Sequence, residues 1–375
     1  MNINHFINQI KTKHEKLKFG NKYKRQITSH FNELEHRRKL TREQKREIQA
    51  FYKGLIGRNV SLYCHEYFYS RTGIFSKEYI PTDLYNVELL TRANRIDYSS
   101  VYGDKNLTDV FLRDVRKPHT ILKRMNGYYY FEGEPVSEEE ALKRCGNLQD
   151  VVIKPSLSTQ GKGIQILTVS NGQTDHDGMS LQQLFKQYGK NFQIQERFKQ
   201  HELMNALNPT SVNTIRIVTY RSGNEVLLIY AVVRIGKIGS VIDNQCAGGI
   251  STIINEEGRL GKFGFGGYGE DNILKTDTGV TLEDYQIPSY QKIVSTVKRL
   301  HLQLPFYDII GWDMAVAEDG EPTLIEWNTK VGLSQSAFGP GFGKYTERII
   351  RELWQKKPHY YFIQTKKRKK KKPSQ

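Results

Sequence analysis

At 375 residues and 38% hydrophobic content, the chain is long enough for two or three folding units and apolar enough to bury a core. No stretch approaches the roughly 20 apolar residues of a membrane span and no signal-peptide core is present. Cys64, Cys145 and Cys246 are odd in number and lack metal-ligand spacing, so the expectation is a cytoplasmic protein without disulfides. The net charge of +16 sits at the ends: residues 1–60 carry 15 Lys/Arg against 5 Glu, the run Lys366 to Lys372 adds seven, and residues 61–365 sum to −1. A protein built to grip nucleic acid would spread basic charge over a folded face, so that class is disfavoured.

The spacing predicts a helix over 28–56, where Leu40, Ile48, Phe51, Tyr52 and Leu55 recur at helical intervals and Thr41 with Gln44 resembles a capping box. Aromatic residues crowd 62–69, and Gly73 and Pro81 punctuate the segment after them. Between 82 and 150 helix-like runs alternate with short strands; 127–131 is one strand, and Ser137 opens a helix as N-cap with three glutamates behind it. From 151 strands dominate. Segments 151–155 and 164–169 flank a Gly/Ser loop, 179–188 is a short helix, and 192–198 and 212–220 are strands. Segment 226–235 pairs with the preceding strand across Ser222-Gly223-Asn224. Residues 258–269 form a glycine-rich loop, and the last two helices lie over 288–303 and 345–354.

The most informative stretch runs from Gly311 to Asn328. Asp319-Gly320 between two apolar runs signals a two-residue hairpin turn. A turn centred there sets Asp313 opposite Glu326, with Cβ atoms about 4.5–5.5 Å apart, and places Asn328 on the same face. Facing carboxylates are unfavourable alone, so a cation is expected between them. Two carboxylates and an amide oxygen are hard ligands that suit Mg²⁺ on nucleotide phosphates. The bland alternative is an exposed hairpin with scattered acids.

A second stretch, Val152-Ile153-Lys154-Pro155-Ser156 through Ser158, Gly161 and Gly163, ends a strand in a lysine before a loop of small and hydroxyl residues. Such a loop lets backbone N–H groups approach anionic oxygens, although a plain hairpin loop reads the same way. Gln195-Glu196 ends a strand whose backbone could meet a purine edge. Asn213 and Arg216 interrupt one apolar strand pattern and Arg234 the next; arginines sharing a sheet with the carboxylates are candidate phosphate clamps, against the alternative of solvated faces. His201 reads as a structural histidine.

In this order the parts resemble the ATP-grasp superfamily, and more narrowly its sugar-transfer-associated group, related to α-L-glutamate ligases. The resemblance runs from about Tyr52 to Gly343 through Tyr79-Ile80-Pro81, Asp104-Lys105-Asn106, Lys154-Pro155-Ser156, Asn213-Thr214-Ile215-Arg216, Asp243-Asn244, Gly248-Gly249, Gly311-Trp312-Asp313 and Glu326-Trp327-Asn328. It implies an α+β fold in which two subdomains clasp ATP between antiparallel sheets. The expected division is a basic helical region 1–75, a pre-ATP-grasp α/β region 76–150, a lid subdomain 151–205, a metal-binding subdomain 206–348, and a final helix and tail 349–375. The resemblance implies that Lys154 contacts the phosphates beneath a lid holding Ser156, Ser158, Gly161 and Gly163. It puts Gln195 and Glu196 at the adenine hinge, Asn213 among the nucleotide contacts, and Mg²⁺ on Asp313, Glu326 and Asn328. Lys105 or Lys123 would be the earlier nucleotide-contacting lysine.

The implied reaction forms an acyl phosphate from ATP and a carboxylate, which an amine then converts to an amide; Lys154, Arg216 and Arg234 would stabilise phosphoryl charge. The expected carboxylate is a uronic acid of a bacterial surface glycan or its precursor. Amino-acid or dipeptide ligation is the rival within the class. A non-catalytic nucleotide- or nucleic-acid-binding module is the rival outside it. The polybasic ends suit an anionic membrane surface or an acidic glycan, or serve only as solubilising tails.

Overall fold

The computed structural model describes residues 3–158, 161–176, 178–240, 243, 248–267 and 272–359. Thr159, Gln160, Asn244, Cys246, part of the glycine-rich loop and the lysine run at 366–372 lie outside the described residues. The chain divides into two compact units, residues 1–98 with 332–375, and residues 99–331.

The first unit is helical. Helices α1 (Ile3–Glu33), α2 (Arg42–Ile56) and α3 (Tyr63–Thr72) come first in the chain, and the helix Thr346–Gln355 packs back against α2. The single helix expected over 28–56 is two helices. The Thr41 hydroxyl accepts from the Gln44 N–H at 3.1 Å and the Gln44 side chain accepts from the Thr41 N–H at 2.9 Å, so this box starts a new helix. Ile48, Tyr52, Leu55 and Ile56 form the buried face of α2. Ile27 of α1 packs with Cys64, Tyr67 and Phe68 of α3. Far along the chain, Gln335 receives the Ile80 N–H and donates to the Ile80 carbonyl, both at 2.8 Å.

The second unit is built on two antiparallel sheets. The first takes β1 (Thr120–Met125), β2 (Tyr128–Phe131), β3 (Glu134–Val136), β4 (Leu148–Pro155), β5 (Gln165–Ser170), β6 (Gln173–Thr174) and β7 (Phe192–Glu196) in the order β3-β2-β1-β7-β4-β5-β6. Strands on both sides of residue 150 share this sheet, so the expected boundary there falls inside one layer. Leu122, Val151, Ile153, Phe192 and Ile194 face its core, which helices Glu138–Arg144 and Leu181–Tyr188 cover with Ala141, Leu181, Leu184 and Phe185. Alternation then turns Lys123, Lys154, Gln193 and Gln195 to the other face.

The second sheet takes β8 (Ile215–Ser222), β9 (Glu225–Ile235), β10 (Ile250–Ile254), β11 (Phe265–Gly266), β12 (Ile309–Val316) and β13 (Pro322–Asn328) in the order β11-β10-β9-β8-β12-β13. Ile217, Ile310, Trp312, Met314 and Leu324 pack with Ile293, Val297 and Leu300 of the helix Tyr290–His301. Arg216 and Asp313, of opposite parity on their strands, turn away from that core, and so does Glu326 beyond the irregularity in β13.

The β12–β13 hairpin differs from expectation in two ways that cancel. Val316 pairs with Pro322 and the Ala317 N–H meets the Glu321 carbonyl at 3.0 Å, so the loop has three residues, with Gly320 at φ 80°. A register shift between Asp313 and Met314 leaves Ile325 as an extra residue on β13. Beyond that bulge Asp313 again pairs with Glu326, Trp312 with Trp327 and Gly311 with Asn328.

Candidate functional site

Asp313 is 2% exposed and stands between two neighbours, Glu326 on β13 and Arg216 on β8. On its β8 side the charge of Asp313 is balanced by arginines. The Arg216 fork donates to both oxygens of Asp313, Nε to Oδ1 at 2.5 Å and Nη2 to Oδ2 at 2.7 Å, and Arg234 Nη1 lies 3.5 Å from Oδ1. Burial opposes ionisation of Asp313, but the two guanidinium groups hold its pKa down at about 2. The Asn328 amide nitrogen donates to Asp313 Oδ2 at 3.2 Å and to Glu326 Oε1 at 3.4 Å.

Behind the arginines, Asp243 is held by the N–H and hydroxyl of Thr214. Burial raises the pKa of Asp243, while Arg234 and Thr214 oppose the rise. In the sequence Asp243 stands out only as part of a dipeptide; its role depends on β8 and β9 placing Thr214 beside Arg234, whose N–H meets the Thr214 carbonyl at 2.8 Å.

Lys105 Nζ lies 3.5 Å from Glu326 Oε2 and donates to the Ser158 carbonyl at 2.6 Å. Asp104, accepting from the Asn106 N–H, opens the short turn that aims this lysine. Lys123 instead pairs with Asp109 at 2.6 Å, so of the two candidate lysines it is Lys105 that joins the acidic pair. Lys154, on the open face of the first sheet, is buried and forms no ion pair among the described residues. Burial and the nearby charge of Lys105 lower its ammonium to about 8, against an opposing pull from Glu326.

The loop after Lys154 is braced rather than open. Ser156 is buried, its N–H bonded to the Asn191 carbonyl and its hydroxyl without a partner among the described residues. Ser158 Oγ donates to the Pro155 carbonyl at 3.2 Å. Gly161 and Gly163 have φ of 72° and 76°, and a Cβ on Gly163 would stand 2.9 Å from Pro155 Cγ, so that position needs glycine twice over.

The side chains of Gln195, Asn213 and His201 bond to the surrounding framework. Gln195 is buried and donates to Thr120 Oγ1 at 2.8 Å and to the Pro118 carbonyl at 3.3 Å, tying β7 to the start of β1. Asn213 is fully buried and donates to the carbonyls of Met204 and Asn208 at 2.7 and 2.8 Å, which gives it a framework role in place of the nucleotide contact expected of it. His201 accepts from the Leu203 N–H and caps a short helix. Glu196 is exposed and, with Lys117, Phe198, Ala317 and Thr323, lines a cavity of about 520 Å³ past the end of β7.

The donor set of Asp313, Glu326 and Asn328 consists of hard oxygens, and Asp313 is ionised at any working pH, so the residues fit Mg²⁺. Lys154, within electrostatic reach of Lys105 and Glu326, and the Ser156 hydroxyl two residues on are buried polar groups without a protein partner among the described residues, which fits a phosphate.

The model of the sugar-transfer-associated ATP-grasp family matches residues 84–349. No curated protein matches by sequence. Solved structures similar to the chain include a D-alanine–D-alanine ligase from Bacillus anthracis (15% identity, 70% of this chain, 67% of that one, TM-score 0.38). An L-amino acid ligase from Bacillus licheniformis (12%, 70% and 50%, TM-score 0.37) and the ATP-grasp ligase PsnB with its minimal precursor (12%, 69% and 63%, TM-score 0.39) are also similar. The chain thus spans about half to two thirds of the length of those structures. With its two antiparallel sheets, its lysine-led loop and its acidic hairpin, the chain belongs to the sugar-transfer-associated ATP-grasp family, within a superfamily of ATP- and Mg²⁺-dependent ligases.

Proposed function

We propose that the chain joins a carboxyl group to an amine at the expense of ATP, and that the carboxylate is a uronic acid of a bacterial surface glycan or its precursor. The observation that carries the ligase reading is the facing of Asp313, Glu326 and Asn328 by four cationic side chains, Lys105, Lys154, Arg216 and Arg234. The glycan reading is supported by the family's association with sugar transfer.

In this reading Lys154 and Lys105 bind the phosphates, and the Ser156–Gly163 loop covers them and excludes water. A substrate carboxylate oxygen attacks the γ-phosphorus and ADP leaves; the amine nitrogen then attacks the acyl carbon, inorganic phosphate leaves, and the nitrogen loses a proton. Asp313, Glu326 and Asn328 would hold Mg²⁺, which draws charge from the phosphoryl oxygens when bound. Arg234, partly exposed and tied to Asp313 by one long contact, is the guanidinium free to turn toward the incoming carboxylate. Positioning and charge neutralisation suffice, and no protein nucleophile is needed.

The test is ADP release from the purified protein with MgATP against panels of uronic acids and of amino acids, each with a set of amines. Turnover that needs a uronic acid supports the proposal. Turnover with amino acids alone replaces the glycan by a peptide-type substrate, and silence in every combination, with no nucleotide binding, removes the ligase reading.

A further inference from the structure

Helix α1 packs into its unit by one face. Ile27 is buried on it, with Phe31 and Leu34 against the same cluster, and Lys16 reaches Glu88 at 3.1 Å. The opposite face carries Lys18, Lys22 and Arg25, all exposed, spaced so that they line one side of the rod. No acid stands between Glu15 and Glu33. Among the described residues Arg25 reaches the Asn21 carbonyl, at 3.4 Å, and the Lys22 ammonium lies 6.0 Å from the Tyr23 ring centre. Like charges three and four residues apart weaken a helix, and nothing in this stretch offsets them.

Leu17, 59% exposed, borders the row, and the repeat of the helix carries the row back to His14. The charge is also segregated between units. Residues 1–98 and 332–375 hold 31 Lys/Arg against 12 acids, whereas residues 99–331 hold 25 against 28.

We infer that this face of α1 docks the helical unit on an anionic lipid bilayer, its cations on lipid phosphates and Leu17 in the headgroup boundary. A basic row edged by an aliphatic residue suits the phosphate plane of an anionic bilayer, where each Lys or Arg adds electrostatic attraction. An RNA backbone would leave Leu17 idle. The inference is independent of the ligation chemistry, since none of these residues belongs to the site above.

The test is flotation of the full-length protein with vesicles of phosphatidylcholine mixed with phosphatidylglycerol, beside vesicles of phosphatidylcholine alone. Binding is expected only to the mixed vesicles and should weaken as salt rises. Each basic residue near such a surface is worth roughly fivefold in binding, so Lys18→Glu/Lys22→Glu/Arg25→Glu should lose a hundredfold or more. Leu17→Asn should weaken binding with an unchanged salt slope. Circular dichroism and nucleotide turnover report whether each variant folds; if the triple reversal does not, the corresponding glutamine variant replaces it and should lose binding in the same direction. Unchanged vesicle binding by a folded triple variant overturns the inference. So does loss of binding when only the lysines of 366–372 are made glutamine, or tighter binding to polyuridylate than to vesicles with the same dependence on Lys18, Lys22 and Arg25.

Discussion

At the scale of single residues, the site is a set of charges that need one another. Lys154 is held near 8, so in the free protein it begins to lose its proton just above neutrality. Phosphate oxygens favour the charged form; nucleotide binding near pH 8 should therefore take up a proton, and affinity for MgATP should fall, by up to about tenfold per pH unit, as pH rises through 8. Calorimetry in buffers of different ionisation enthalpy measures the uptake, and Lys154→Met should remove both the uptake and the slope. The Arg216–Asp313 pair makes the opposite demand, because each partner is buried against the other. Arg216→Leu should cost about 3–5 kcal/mol in a urea titration by stranding the Asp313 carboxylate. The double variant Arg216→Leu/Asp313→Leu should regain most of that stability and none of the turnover. These dependences are only partly legible in the sequence. The acids, the arginines and Lys154 stand out by residue type and position, but the choice of Lys105 over Lys123 rests on Asp109, which nothing local connects to either.

At the scale of elements, the hairpin shows how a sound expectation can pass through an incorrect intermediate. Asp319-Gly320 signals a reversal and correctly pairs Asp313 with Glu326, yet the loop has three residues and Ile325 supplies the compensating one. A bulge leaves no mark in residue type, so the sequence could not show it. Its consequence is testable: deleting Ile325 makes the ladder regular with Glu326 still opposite Asp313, and should keep Mg²⁺-dependent nucleotide binding in a filter assay, whereas inserting one residue after Ile325 should turn Glu326 and Asn328 to the face that packs on the helix and abolish it. The same local logic explains the break between α1 and α2. The apolar repeat favours one long helix, while the reciprocal bonds of Thr41 and Gln44 favour a fresh start; Thr41→Ala should cost about 1 kcal/mol, read as a shift of the urea midpoint. Helix α1 before residue 28 is not legible in the sequence at all, because its charged residues mask the periodicity.

At the scale of the whole molecule, each unit encloses a neutral histidine. His65 and His301 are pushed by burial to about 4. His301 Nε2 donates to the Tyr307 carbonyl, which leaves Nδ1 to accept from the Thr219 hydroxyl, itself the acceptor for Trp312 Nε1. Both pKa values lie below the unfolded value of about 6.5, so the unfolded chain binds more protons between the two values and stability falls as pH drops from 6.5 toward 4. The expected loss is about 3 kcal/mol for each unit, seen as falling melting transitions, and His301→Gln should flatten the acid dependence of one transition only. The first unit has a further property, which arises from its discontinuity. Residues 1–98 find their partners Gln335, Ile350 and Leu353 only after about 230 more residues have left the ribosome. At about 5–20 residues per second that delay lasts roughly 10–50 s. Throughout it the apolar side of α2 meets α3 but lacks the helix Thr346–Gln355, so the growing chain has apolar surface to be shielded during translation, and a messenger cut short before codon 332 would yield a product open to proteolysis.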